Sequence, residues 1–131
     1  GLGFHLCRWG YGSSNRTLEI VKRMKAALIP QDTQWNDIEY ADGRKDFTLN
    51  NSTFKGLPDV IKYLHAHGMH FIPIVDPAIS NTQPAGTYPP YDSGIAQDVF
   101  IKDSAGKPIV GKNVLHCEQG MSYCIHAFSH L

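Results

Sequence analysis

The sequence predicts an α/β fold built on a parallel sheet. Two observations carry this. Apolar strand-like runs alternate with helix-like segments in the order β-α-β-α-β. Each of two such runs is closed by an aspartate: Thr33-Gln34-Trp35-Asn36-Asp37 and Phe71-Ile72-Pro73-Ile74-Val75-Asp76. Carboxylates at consecutive C-terminal strand ends of a parallel sheet or barrel converge on the ligand-binding face. The pair therefore points to a site for a polar, hydroxyl-rich ligand.

The first strand is expected at about Phe4 to Arg8, broken by Gly10 and Gly12. A hydroxyl near Ser14 is suited to cap the helix that follows, from about Thr17 to Leu28. Leu18, Val21, Met24, Ala27 and Leu28 form its apolar face, Glu19 and Arg23 an i,i+4 pair, and Pro30 ends it. The second strand covers about Thr33 to Ile38, and Asp42-Gly43 signals a turn. Pro58 suits the first turn of a second helix, where its missing N–H costs nothing. Val60, Ile61 and Leu64 give that helix its apolar face, and Gly68 stops it. The third strand, His70 to Val75, reads as covered on both faces, although Pro73 within it lacks a ladder N–H.

The character then changes. Residues 77–94 contain four prolines, two glycines and two tyrosines, the composition of a long loop of the kind that lines binding sites. Val99–Lys102 and Pro108–Val110 flank Asp103-Ser104-Ala105-Gly106 as a β-hairpin.

Composition narrows the function classes. The 131 residues are 42% hydrophobic and 18% charged, with zero formal net charge. No global field favours nucleic acid or an anionic membrane. No apolar run reaches the roughly 18 residues of a membrane span. The length is one ordinary domain and well below the roughly 250 residues of a closed (β/α)8 barrel. The opening Gly1-Leu2-Gly3 carries neither Met nor a signal-like run, and reads as an internal piece of a longer chain. Three cysteines make no disulfide framework. Cys7 reads as a buried free thiol, and Cys117 and Cys124 as a candidate pair. Asn15, Asn50 and Asn51 are glycosylation sequons.

Trp9, Asp37 and Asp76 fall near the ends of the three strands and suit a sugar. Carboxylates accept hydrogen bonds from vicinal hydroxyls, and an aromatic ring covers the apolar face of a pyranose. Each has an ordinary alternative: a loop-capping acid for Asp37, a turn-starting Asp-Pro for Asp76, core packing for Trp9. Trp35, two residues before Asp37, shares its sheet face and reads as packing beneath the site. His65, His67 and His70 read as surface residues at a helix C-terminus rather than a metal site. His116, Cys117, Cys124, His126 and His130 are zinc-type ligands without finger spacing. No metal and no cofactor is expected.

Four blocks, Gly3-Phe4-His5-Leu6-Cys7-Arg8-Trp9-Gly10-Tyr11, Asp32-Thr33-Gln34-Trp35-Asn36-Asp37-Ile38-Glu39-Tyr40, Asp46-Phe47-Thr48 and Ile74-Val75-Asp76-Pro77-Ala78-Ile79-Ser80, resemble in order the α-glucosidases of glycoside hydrolase family 31. The likeness runs from residue 1 to about Lys112, and residues 113–131 read as a non-homologous tail. The resemblance implies a partial (β/α)8 TIM barrel: about three β/α units plus the long loop and the hairpin. It also implies hydrolysis of terminal α-linked glucose with retention, an α-glucoside or oligosaccharide substrate, and a lysosomal or secretory lumen. By position it places Trp9, Asp37, Ile38 and Ile74 at the glucose subsite and Asp76 close to it. A retaining glycosidase needs two catalytic carboxyl groups about 5 Å apart. In the family both are aspartates on later strands, and the nucleophile lies in Trp-x-Asp-Met-x-Glu. The tryptophans here, Trp9 and Trp35, do not begin that motif. The resemblance therefore assigns no catalytic residue and implies a fragment that is inactive alone. A non-catalytic carbohydrate-binding module and an interaction fragment are the competing functions.

Overall fold

The computed structural model describes residues 2–112 and 122–125. They form two compact units, Gly1–Val75 and Asp76–Leu131.

The first unit is a parallel sheet with helices packed against it. β1 (His5–Leu6) pairs with β2 (Thr33–Asn36), and β2 with β3 (His70–Pro73), in the order β1-β2-β3. The registers are His5↔Thr33 and Gln34↔Phe71. The connections are α1 (Ser14–Ala26) and α2 (Leu57–Ala66). This is an arc of an α/β barrel, as expected.

α1 starts three residues earlier than the apolar spacing suggests. Ser13, not Ser14, is its N-cap, and its Oγ accepts the Arg16 N–H at 3.2 Å. Glu19 pairs backwards with Arg16 at 2.6 Å, not forwards with Arg23. Leu28 lies past the helix with φ +57°, and is 89% exposed rather than part of the apolar face. α2 matches its signals: Pro58 lies in its first turn and Gly68 follows it with φ +73°. A left-handed residue there is the ordinary helix stop.

The core gathers one face of each helix and the turn after β2. Val21, Ile38, Tyr40, Ala41, Phe54, Leu57, Val60 and Leu64 are buried together, and Leu49, Phe71 and Ile74 pack against them. Gln34 and Asn36 face the same side. Gln34 Nε2 donates to Tyr11 Oη at 2.9 Å, and Asn36 Nδ2 to Thr17 Oγ1 at 3.0 Å. Both amide nitrogens are thus partnered, as burial favours, while the buried Asn36 Oδ1 accepts no hydrogen bond.

The strands are shorter than expected. Cys7 lies beyond the end of β1 and is an exposed free thiol, not a buried one. β3 is exposed at His70 and Pro73, and Val75 beyond it is 47% exposed, so it is not covered on both faces. Pro73 is tolerated because the N–H groups directed at β2 come from His70 and Ile74. Position 73 points the other way, where a missing donor breaks no ladder bond.

In the second unit the long loop contains regular structure: β4 (Ala78–Ser80) and α3 (Pro89–Ala96). The hairpin is present, with Lys102 bridging Pro108 around Asp103–Gly106. β5 (Val110–Lys112) and β4 pair antiparallel with β6 (Ser122–Ile125), in the order β4-β6-β5. Ile79, Tyr88 and Phe100 form this unit's core. Cys117, the Cys124 side chain, His116, His126 and His130 lie outside the described residues, and with them the candidate disulfide and zinc-type cluster.

Candidate functional site

Parallel pairing of β1 with β2 aligns the chain exits of both strands. Asp37 leaves β2 in extended conformation, with φ −72° and ψ 172°, and caps a single 3-10 turn, Ile38–Tyr40. Its Oδ1 accepts the Ile38 N–H at 2.7 Å. The turn is fastened from below. Ile38 is fully buried, and Tyr40 Oη donates to the Ile74 carbonyl at 2.9 Å. Ile74 N–H in turn donates to the Asn36 carbonyl at 3.0 Å. Of the expected contact residues, Ile38 belongs to the core cluster and Ile74 packs against it, while Asp37 is half-buried.

Cys7 reports how close the two strand ends are. Partial burial pushes its thiol above the ordinary value, and the Asp37 carboxylate pushes it further. An added negative charge on sulfur is disfavoured beside an existing one.

Trp9 follows on the loop after β1 and is 46% exposed. The Arg44 guanidinium lies 5.0 Å from its ring centroid, within cation–π range. Glu39, two residues after Asp37, accepts the backbone N–H groups of Gly10 at 3.1 Å and Tyr11 at 2.7 Å. Arg8 completes the loop, donating to the Trp9 carbonyl at 3.1 Å and the Gly10 carbonyl at 3.3 Å. Glu39 and Arg44 were not singled out by the sequence. The only available signal was that both stand in the same connection as Asp37.

Trp35 is half-buried, and its Nε1 donates to His5 Nδ1 at 3.0 Å on the sheet face away from the core. Asp76 is buried in the second unit. Two cavities of the first unit lie at the other end of its strands. One of about 390 Å³ is lined by His5, Asp32, Thr33, His70 and Phe71, and one of about 360 Å³ by Val21, Leu28, Ile29 and Met69. His65, His67 and His70 are exposed, and among the described residues no group of His, Cys, Asp or Glu is arranged to hold a metal. Asn15 and Asn51 are exposed. The Asn50 amide oxygen accepts from the Ser52 hydroxyl at 2.6 Å and from the Ser52 and Thr53 N–H groups.

The arrangement offers a carboxylate and an indole from adjacent strand ends, with a guanidinium against the indole. That chemistry holds hydroxyls and an apolar ring face.

The profile of the Glycosyl hydrolases family 31 TIM-barrel domain matches residues 1–130. Over 112 residues the chain is 51% identical to lysosomal alpha-glucosidase of Bos taurus, covering 86% of this chain and 12% of the relative. Over 114 residues it is 45% identical to intestinal sucrase-isomaltase of Homo sapiens, covering 85% of this chain and 6% of the relative. The crystal structure of the Tris-bound glucosidase II alpha subunit superposes with a TM-score of 0.81 at 35% identity, over 95% of this chain and 13% of that one. The chain thus spans about an eighth or less of the curated relatives it matches, and it belongs to glycosyl hydrolase family 31, within the TIM-barrel domain.

Proposed function

We propose that these residues supply the sugar-binding end of an α-glucosidase barrel acting on α-glucosides or oligosaccharides with retention. Asp37 accepts hydrogen bonds from glucosyl hydroxyls, Trp9 covers the ring face, and Ile38 and Ile74 support them. The carrying observation is that Asp37 leaves β2 beside the exit of β1, on a turn fastened from below by Ile38 and Tyr40. The family and the names of the relatives support the substrate class. The nucleophile and acid/base are proposed to lie outside these 131 residues, because the motif Trp-x-Asp-Met-x-Glu is absent from them. The isolated chain is accordingly proposed to be inactive. A lysosomal lumen is supported by the relatives' name and by exposed sequons at Asn15 and Asn51.

The test is an exchange. Residues 1–112 replace the matching segment of bovine lysosomal alpha-glucosidase, and maltose hydrolysis is measured. The chimera is expected to be active. Asp37→Asn in it is expected to lower kcat/KM by about 100-fold, the worth of two charge-assisted hydrogen bonds of about 1.5 kcal/mol each. A folded chimera indifferent to Asp37→Asn would sink the assignment.

A further inference from the structure

Trp9 sits on a loop with little burial of its own. Cys7, Arg8, Trp9 and Gly10 are all exposed, and Gly10 has φ +90°. Such a segment takes its position from polar contacts rather than from a packed underside. Glu39 makes two of them, to consecutive backbone N–H groups immediately after Trp9, at 3.1 and 2.7 Å. Hydrogen bonds to an ionised acceptor are the strong kind. The Arg44 guanidinium, 5.0 Å from the Trp9 ring centroid, adds a contact from the same β2–α2 connection. That connection begins with Asp37. Glu39 is therefore a side chain that bridges the two strand exits.

We propose that Glu39 is a positioning residue: its carboxylate holds the Trp9 loop against the strand end that carries Asp37, and so fixes the indole relative to that carboxylate. The proposal rests on the reading that Trp9 and Asp37 contact a sugar, and it names what sets their geometry. Glu39 itself touches no substrate. Arg44 is the second fastener, acting on the ring rather than on the backbone.

The chain contains two indoles, Trp9 and Trp35, so each N–H signal is attributable. Trp35 is fixed by its bond to His5 and serves as the internal control. The experiment compares nitrogen-15 NMR spectra and amide exchange of the full chain with those of Glu39→Ala and Glu39→Gln. In Glu39→Ala, exchange at Gly10 and Tyr11 is expected to quicken about tenfold or more, as loss of a charge-assisted bond implies. The Trp9 indole signal moves and the Trp35 signal stays. Glu39→Gln keeps an acceptor oxygen at the same reach, so it is expected to return the Trp9 signal most of the way, with exchange between the two extremes. Should Glu39→Ala not fold, Glu39→Ser, whose hydroxyl is too short to reach either N–H, takes its place: protection unchanged at both amides in the variant lacking the acceptor would overturn the proposal. Movement of both indoles together would also overturn it, since that is general loosening. So would quickened exchange at Gly10 and Tyr11 with the Trp9 indole unmoved. No sugar is present in these measurements, so their failure is distinct from failure of the sugar reading, which the chimera decides.

Discussion

Cys7 and Asp37 show at the level of single residues what the parallel register accomplishes. Neither is in a strand, yet each follows one of two paired strands, and the carboxylate raises the thiol above its ordinary value in addition to the larger effect of partial burial. A raised thiol carries less thiolate at a given pH, and thiolate is the nucleophile. Alkylation of Cys7 by iodoacetamide, followed on its own peptide by mass spectrometry, should therefore show a midpoint displaced to higher pH than an ordinary cysteine. Asp37→Asn removes the smaller cause, so the midpoint should fall part of the way back. An unchanged midpoint would mean that the Asp37 carboxylate does not act on the Cys7 thiol. Asp37 and Trp9 were legible in the sequence because strand exits are marked by where apolar runs stop. The exposure of Cys7 was not, since an apolar run does not reveal that pairing ends at Leu6. Glu39 was not legible either. Its partners are backbone N–H groups of Gly10 and Tyr11, nearly thirty positions earlier, and backbone donors leave no trace in residue identity.

At the level of elements, α2 and α3 respond differently to sequence reading for a physical reason. α2 carries Pro58 in its first turn, Val60 and Leu64 on one face, and Gly68 beyond its end, so that start, face and stop agree. Leu64 is fully buried in the first core, and Leu64→Ala is expected to cost about 2–5 kcal/mol in urea unfolding. α3 has the same kind of start, Pro89-Pro90 in its first turn, but contains Gly94 in its interior, a residue that argues against a helix by propensity. The structure supplies the reason for Gly94: a Cβ there would stand 2.5 Å from Cζ of Phe100, so the ring occupies the space of the missing side chain. Gly94→Ala should accordingly destabilise the second unit by about 1–3 kcal/mol although alanine favours helices. A stabilising effect would show that the Phe100 ring does not close on the helix. The register of α1 was misjudged because Ser13 and Ser14 are equally good caps by type. Only geometry shows Ser13 accepting from Arg16 while Ser14 N–H donates to the Thr53 carbonyl.

For the whole molecule, the ordered blocks of residues carried further than composition or periodicity could. They led to the family that the profile then matched, while composition alone allowed any one-domain α/β chain. What the blocks could not supply was β6. Its pairing with β4 and β5 depends on contacts across many positions, and residues 122–125 carry no hairpin signal towards either partner. The parallel sheet has three strands among the described residues, with β1 and β3 each paired on one side. A barrel of this type closes with eight, and its reacting groups come from several strand ends. Trp9 and Asp37 belong to the first two strand exits in this chain. The most direct measurement is hydrolysis of a chromogenic α-glucoside at acidic pH by the purified 131-residue chain, beside its Asp37→Asn variant. On the proposal that the nucleophile and the acid/base lie outside these residues, neither chain should release chromophore. Release by the wild-type chain that Asp37→Asn abolishes would contradict this, and would make Asp37 a reacting group rather than a holder of sugar hydroxyls.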